Sequence, residues 1–147
     1  MSKITILLIL LVAAHAKERP KRQDLSCYGR AHHNATLAAY YPDFDSEFES
    51  DYLDAKGKKL RTLQDFIDGR AEFVTVAMDN VPKLKYGEKV CVPELNEHFG
   101  RVINLQIRDY NMDLQGKGYT RLDICVRTEA DSYDYAVNRP ITMYTTY

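Results

Sequence analysis

Tryptophan is absent from the 147 residues, proline occurs five times and glycine seven. Collagen-like, Gly-rich and Pro-rich architectures are thereby excluded. Aromatic packing must come from five phenylalanines and eleven tyrosines. A basic surplus is missing too: 20 Lys and Arg stand against 21 Asp and Glu. Neither a nucleic-acid surface nor a polybasic face for anionic membranes is expected. After residue 14 no run is apolar enough to cross a bilayer. There is no solenoid repeat and no serine in a nucleophile-elbow motif.

What is present begins with a leader. A short basic start ("MSK"), an apolar run ("ITILLILLVAA") and small residues ("AHA") make residues 1–16 a secretory signal peptide. Export of a soluble protein follows as an expectation. Residues 17–33 read as a linker or short propeptide, because Arg19-Pro20-Lys21-Arg22 has the pattern cut by proprotein convertases. The alternative is a solvated basic linker. Asn34-Ala35-Thr36 is a glycosylation sequon. Three cysteines in an oxidising compartment imply one disulfide and one thiol. Cys91 and Cys125 share a parity relative to the apolar residues of their strands, which favours Cys91–Cys125. Cys27 with either partner stays open.

The remaining chain, residues 34–147, reads as one domain of short strands. The strands are expected in 35–41, 72–79, 88–95, 101–109, 119–127 and 140–147. The clearest is "RVINLQIRD", where Ile103, Leu105 and Ile107 alternate with Asn104, Gln106 and Arg108. Thr62-Leu63-Gln64-Asp65 has helix-start spacing, and Leu63, Phe66 and Ile67 give an i, i+3, i+4 apolar face ended by Gly69. A second short helix is expected from Thr128 to about Asn138. Six strands in so small a domain imply a closed barrel or a sandwich.

Three aspartates stand inside or at the ends of these strands: Asp79 in "VTVAMDN", Asp109 in "LQIRDYN" and Asp123 in "TRLDICV". Brought together, carboxylates are equipment for glycosidic bond cleavage, one acting as a raised-pKa acid. The alternative is structural: such acids cap turns and accept backbone amides. The order of Ala77, Asp79, Gly87, Val90 and Pro93, then Asp109, then Lys117, Gly118, Arg121, Leu122 and Asp123, resembles the three-aspartate domain of the RlpA-like double-psi β-barrel superfamily. The resemblance spans about residues 34–147. It implies a mainly β fold: a six-stranded double-psi barrel with two short helices. It also implies lytic transglycosylase-like chemistry on a cell-wall polysaccharide such as peptidoglycan. Asp123 would be the acid/base, with Asp109 and Asp79 in support. No metal or organic cofactor would be needed, and neither nucleic acid nor membrane is an expected partner. Expansins and barwin-like defence proteins, which handle polysaccharide, share the fold and supply a non-catalytic alternative.

Where the family carries Asp-Thr-Gly, this chain carries Asp109-Tyr110-Asn111, and Asp113 lies in the following loop. Tyr40, Tyr41, Tyr86, Tyr110 and Tyr119 could stack on sugar rings or pack the barrel. Tyr110 and Tyr119, which flank the acids, and Arg121 are the substrate-contact candidates. His32, His33 and His98 lack metal-ligand spacing and read as surface histidines.

Overall fold

A computed structural model describes residues 18–146. The signal-peptide reading and Tyr147 lie outside the described residues. The elements are β1 (Arg30–Tyr40), α1 (Leu63–Ile67), β2 (Val74–Ala77), β3 (Lys89–Cys91), α2 (Pro93–Phe99), β4 (Leu105–Asp109), β5 (Arg121–Cys125) and β6 (Arg139–Thr145), with short 3₁₀ turns between them. The fold is mainly β, with two short α-helices beside a closed six-stranded barrel ordered β1-β5-β2-β4-β3-β6. β1 runs parallel to β5 and β2 parallel to β4, while the other seams are antiparallel. Among the described residues no helix is long and apolar enough to cross a membrane.

Strand alternation places the core. Leu37, Val74, Val76, Val90, Leu105, Ile107, Leu122, Ile124, Ile141 and Met143 fill the interior. Each such aliphatic side chain contributes about 1.5–3 kcal/mol on leaving water. Gly29 has φ +110°, and a Cβ there would run into the Thr145 carbonyl oxygen, so the start of β1 can lie against the end of β6 only with glycine at this point. α1 starts as its sequence requires: the Asp65 amide donates to Thr62 Oγ1 at 3.1 Å.

Four expectations are corrected. β1 begins at Arg30, earlier than expected, because Arg30, Ala31 and His32 pair with β6, while His33 and Asn34 fall at a register shift before Ala35 and are exposed. "EKVCVPEL" is strand only through Cys91. Pro93 then opens α2 at its first turn and Gly100, with φ +65°, closes it. Residues 130–137 form two 3₁₀ turns in place of a helix. Finally, the disulfide is Cys27–Cys91, and Cys125 is a buried free thiol. β3 and β5 are not neighbours in the barrel, so shared parity could not bring Cys91 to Cys125. The bridge closes a separation of 64 residues, worth about 4 kcal/mol by loop-closure entropy.

Beside the bridge, the fully buried Asn96 binds the N-terminal segment to the barrel. Its Nδ2 donates to the Leu25 carbonyl at 3.2 Å, and its Oδ1 accepts from the Ile103 amide at 2.9 Å.

Candidate functional site

Two of the three aspartates flank one alanine. Ala77 on β2 is in register with Asp109 on β4 and with Asp123 on β5. At ordinary strand spacing their Cα atoms are about 10 Å apart. Strict alternation would send Asp109 into the core after Leu105 and Ile107. The register prevents this: β4 advances from Ile107 to Asp109 where β2 advances only from Val76 to Ala77. The extra residue, Arg108, turns Asp109 onto the outer face that Ala77 and Asp123 share.

Asp109 is 8% exposed. Its Oδ2 accepts the Tyr40 hydroxyl at 3.0 Å and its Oδ1 accepts the Tyr110 amide at 3.0 Å. Burial pushes its pKa up to about 6, the two hydrogen bonds oppose that rise, and the charge of Asp54 adds to it. Asp54 is itself buried and accepts the amides of Lys56 and Lys58 and the Tyr86 hydroxyl. Burial also raises the Tyr40 hydroxyl well above its ordinary value, so Tyr40 stays a donor.

Asp123 is buried to a similar degree, and burial likewise raises its pKa. Its main partner is a cation: Arg121 Nε lies 2.7 Å from Oδ1 and opposes the rise, while Asp113 adds to it. Asp79 follows β2 half-buried, and its Oδ2 accepts the Gly118 amide at 2.8 Å, which pins the 111–118 segment over this end of the barrel.

The three acids do not share one opening. A cleft of about 540 Å³ is lined by Tyr40, Tyr41, Asp43, Asp51, Asp109 and Tyr110, with Ser50, Asn111 and Met112 completing it. Asp79 lines a second depression of about 350 Å³, separated from the first by Tyr110, Asn111 and Met112. Asp123 lines neither. The first cleft holds three carboxylates and three tyrosines and no cationic side chain.

Of the substrate-contact candidates, Tyr110 stands at the cleft. Tyr119 is stacked on His32, with ring centroids 4.1 Å apart and planes within 3°, and packs against the core. Arg121 is committed to Asp123. Tyr86 holds Asp54 and lies beneath the Lys56 ammonium. Sequence reasoning passed over Tyr40 as a contact to Asp109 and passed over Asp43, Asp51 and Asp54 altogether. Their acidic loop reads as solvated surface, and no local signal places it beside β4. Asn34 and Thr36 of the sequon are exposed on β1. His98 meets Phe99 edge to face, and among the described residues no group of His, Cys, Asp or Glu is placed to hold a metal ion.

No family model matches the chain, and neither a curated protein nor a solved structure matches it.

Proposed function

We propose that the protein is an exported, glycan-active member of the RlpA-like double-psi barrel superfamily, and that the cleft beside Asp109 takes a polysaccharide chain. The observation that carries this reading is a buried carboxyl with a pKa of about 6 on the wall of a polar cleft that three tyrosines and two further aspartates also line. Such a carboxyl is protonated in mildly acidic medium and can act as a general acid. Tyr41 and Tyr110 offer ring faces with polar tips, which suits sugar rings. The Cys27–Cys91 bridge supports export, since disulfides persist in oxidising compartments.

In the mechanism, Asp109 gives its proton to the glycosidic oxygen as the C1–O bond breaks. A hydroxyl of the same sugar attacks C1 and returns its proton to the Asp109 carboxylate. The product is an anhydro sugar, no water is consumed, and the acid is regenerated. The resemblance assigns the acid role to Asp123. The burial of Asp123 away from the cleft and its pairing with Arg121 favour Asp109 instead, with Asp123 as a buttress.

The second reading is a non-catalytic polysaccharide binder of the expansin or barwin kind. It is favoured by the Tyr110–Met112 wall that divides the acids. Incubation with peptidoglycan, chitin and cellulose, followed by mass spectrometry of the soluble fraction and a retention assay on each polymer, separates the two. Product from wild type and not from Asp109→Asn supports the enzyme. Product lost only in Asp123→Asn returns the acid role to Asp123. Retention without product supports the binder, and neither product nor retention overturns both.

A further inference from the structure

The chain contains two adjacent pairs of basic residues, Lys21-Arg22 and Lys58-Lys59, and the structure presents them in opposite ways. Proteases that cut at basic residues bind their substrate as an extended strand, so a site must be exposed and free of secondary structure. Lys58-Lys59 fails this requirement. The Asp54 amide donates to the Lys58 carbonyl at 2.7 Å, the Lys58 amide donates back to Asp54 Oδ1 at 2.9 Å, and Lys59 forms a β-bridge with Leu53. Around Lys21-Arg22, residues 18–24 are exposed and lie in neither helix nor strand. Arg19 completes a basic tetrad with the pair.

Order begins just past this segment. Asp24 accepts the Ser26 amide at 3.0 Å and the Tyr28 hydroxyl. The Leu25 carbonyl is held by Asn96, and Cys27 is bonded to Cys91. Among the described residues, a cut after Arg22 therefore severs no hydrogen bond, ion pair or bridge that holds the barrel, and it leaves Gln23 as an exposed N-terminal residue next to an anchored segment.

We propose that the bond between Arg22 and Gln23 is a processing site and that Gln23 then becomes an N-terminal pyroglutamate. In the second step the freed α-amine attacks the side-chain amide carbon of Gln23. The bond from that carbon to the amide nitrogen breaks, ammonia leaves, and a five-membered lactam forms. No oxidant or co-reactant is needed. The lactam carries no positive charge and no free amine, which closes the N-terminus to aminopeptidases. Loss of residues 1–22 takes five of the 20 Lys and Arg and one of the 21 Asp and Glu, leaving 15 against 20. A chain starting at Lys17 keeps 19 against 21. Maturation thus makes the protein more acidic. This proposal requires export and is independent of the glycan reading, so the two fail separately.

The test is secretion of the full chain from cultured eukaryotic cells, with intact mass, N-terminal sequencing and isoelectric focusing of the product. The wild type is expected at the mass of residues 23–147 less one ammonia (a glycan at Asn34 being removed first), blocked to sequencing. Gln23→Ser should restore a readable N-terminus at the same cut. Arg22→Ala should retain residues 17–22 and focus at a higher pH. A wild-type product starting at Lys17, a free amine on Gln23, a cut after Lys59, or absence from the medium would each overturn the proposal.

Discussion

Asp109 and Asp123 sit on either side of Ala77, both buried, both with carboxyls raised by desolvation, yet their surroundings differ in kind. A phenol and a backbone amide hold Asp109, and neither can supply a compensating positive charge. A guanidinium holds Asp123, and that can. One carboxyl is thus left without a counter-charge at the wall of a cleft, and the other is paired with a cation and lines neither cleft. Position in the sheet does not distinguish the two acids; the charge of the nearest partner does.

The comparison breaks most visibly in activity. Asp109→Asn should lower product formation about 10²–10⁴-fold, the usual weight of a general acid. Asp123→Asn should lower it far less, as measured by release of soluble sugar from the responsive polymer. Equal losses would erase the distinction between the two sites.

Stability against pH gives the next largest effect. The Asp109 pKa in the folded protein lies above its ordinary value of 3.8, at about 6. The native state therefore binds the extra proton between those values, and wild-type stability falls as pH rises through about 6. Asp109→Asn lacks this slope. At pH 8 it should be more stable than wild type by up to about 3 kcal/mol, and the gain should fade below pH 4, as read by denaturant titration.

Arg121→Gln acts with the opposite sign. It leaves the Asp123 carboxylate buried without a counter-charge, at a cost of about 1–2 kcal/mol once the partial exposure of Arg121 is allowed for. Removing the cation raises the Asp123 pKa further, so the loss should be largest at pH 8 and smallest at pH 4. The smallest effect is that of Tyr40→Phe. It removes the hydroxyl that favours the Asp109 anion, and it should cost about 1 kcal/mol at pH 8 and move the Asp109 midpoint upward, as followed by NMR of the carboxyl carbon.

Much of the barrel is legible in the sequence because alternation has a single physical cause, one side of each strand meeting the core. Ile103, Leu105 and Ile107 are all buried as their spacing requires. The Thr62 cap on α1 is equally legible, being a contact between residues three apart. α2 is missed because "EKVCVPEL" keeps alternating past the point where Pro93 starts a helix. Its two signals, a proline at the first turn and a glycine after the last, are weaker than the alternation they interrupt. The disulfide is missed because parity fixes a face and says nothing about which strands are neighbours.

The candidate site was legible in part. Two of the three aspartates are in register with Ala77 on its two sides, though they do not share an opening. Arg121 stands two residues before Asp123 on β5, so strand alternation alone puts the two on one face. Tyr40, 69 residues from Asp109, and the acidic loop that supplies the cleft wall depend on long-range placement that no local pattern encodes.

The position of β1 between β5 and β6 has a consequence for how the molecule is made. Of the six strands, the one made first is paired on both sides by the two made last, so the ring cannot shut until β6 has been made. Until β5 emerges both edges of β1 lack their native partners, and one edge still does until β6 follows, so each is exposed to wrong pairing. Pairings so distant in sequence are slow to form, and folding on the millisecond-to-second scale is expected for such a topology. The Cys27–Cys91 bond joins segments that are both translated before β4, β5 and β6. It can therefore form early and hold the N-terminal segment near the growing sheet while the rest of the chain arrives.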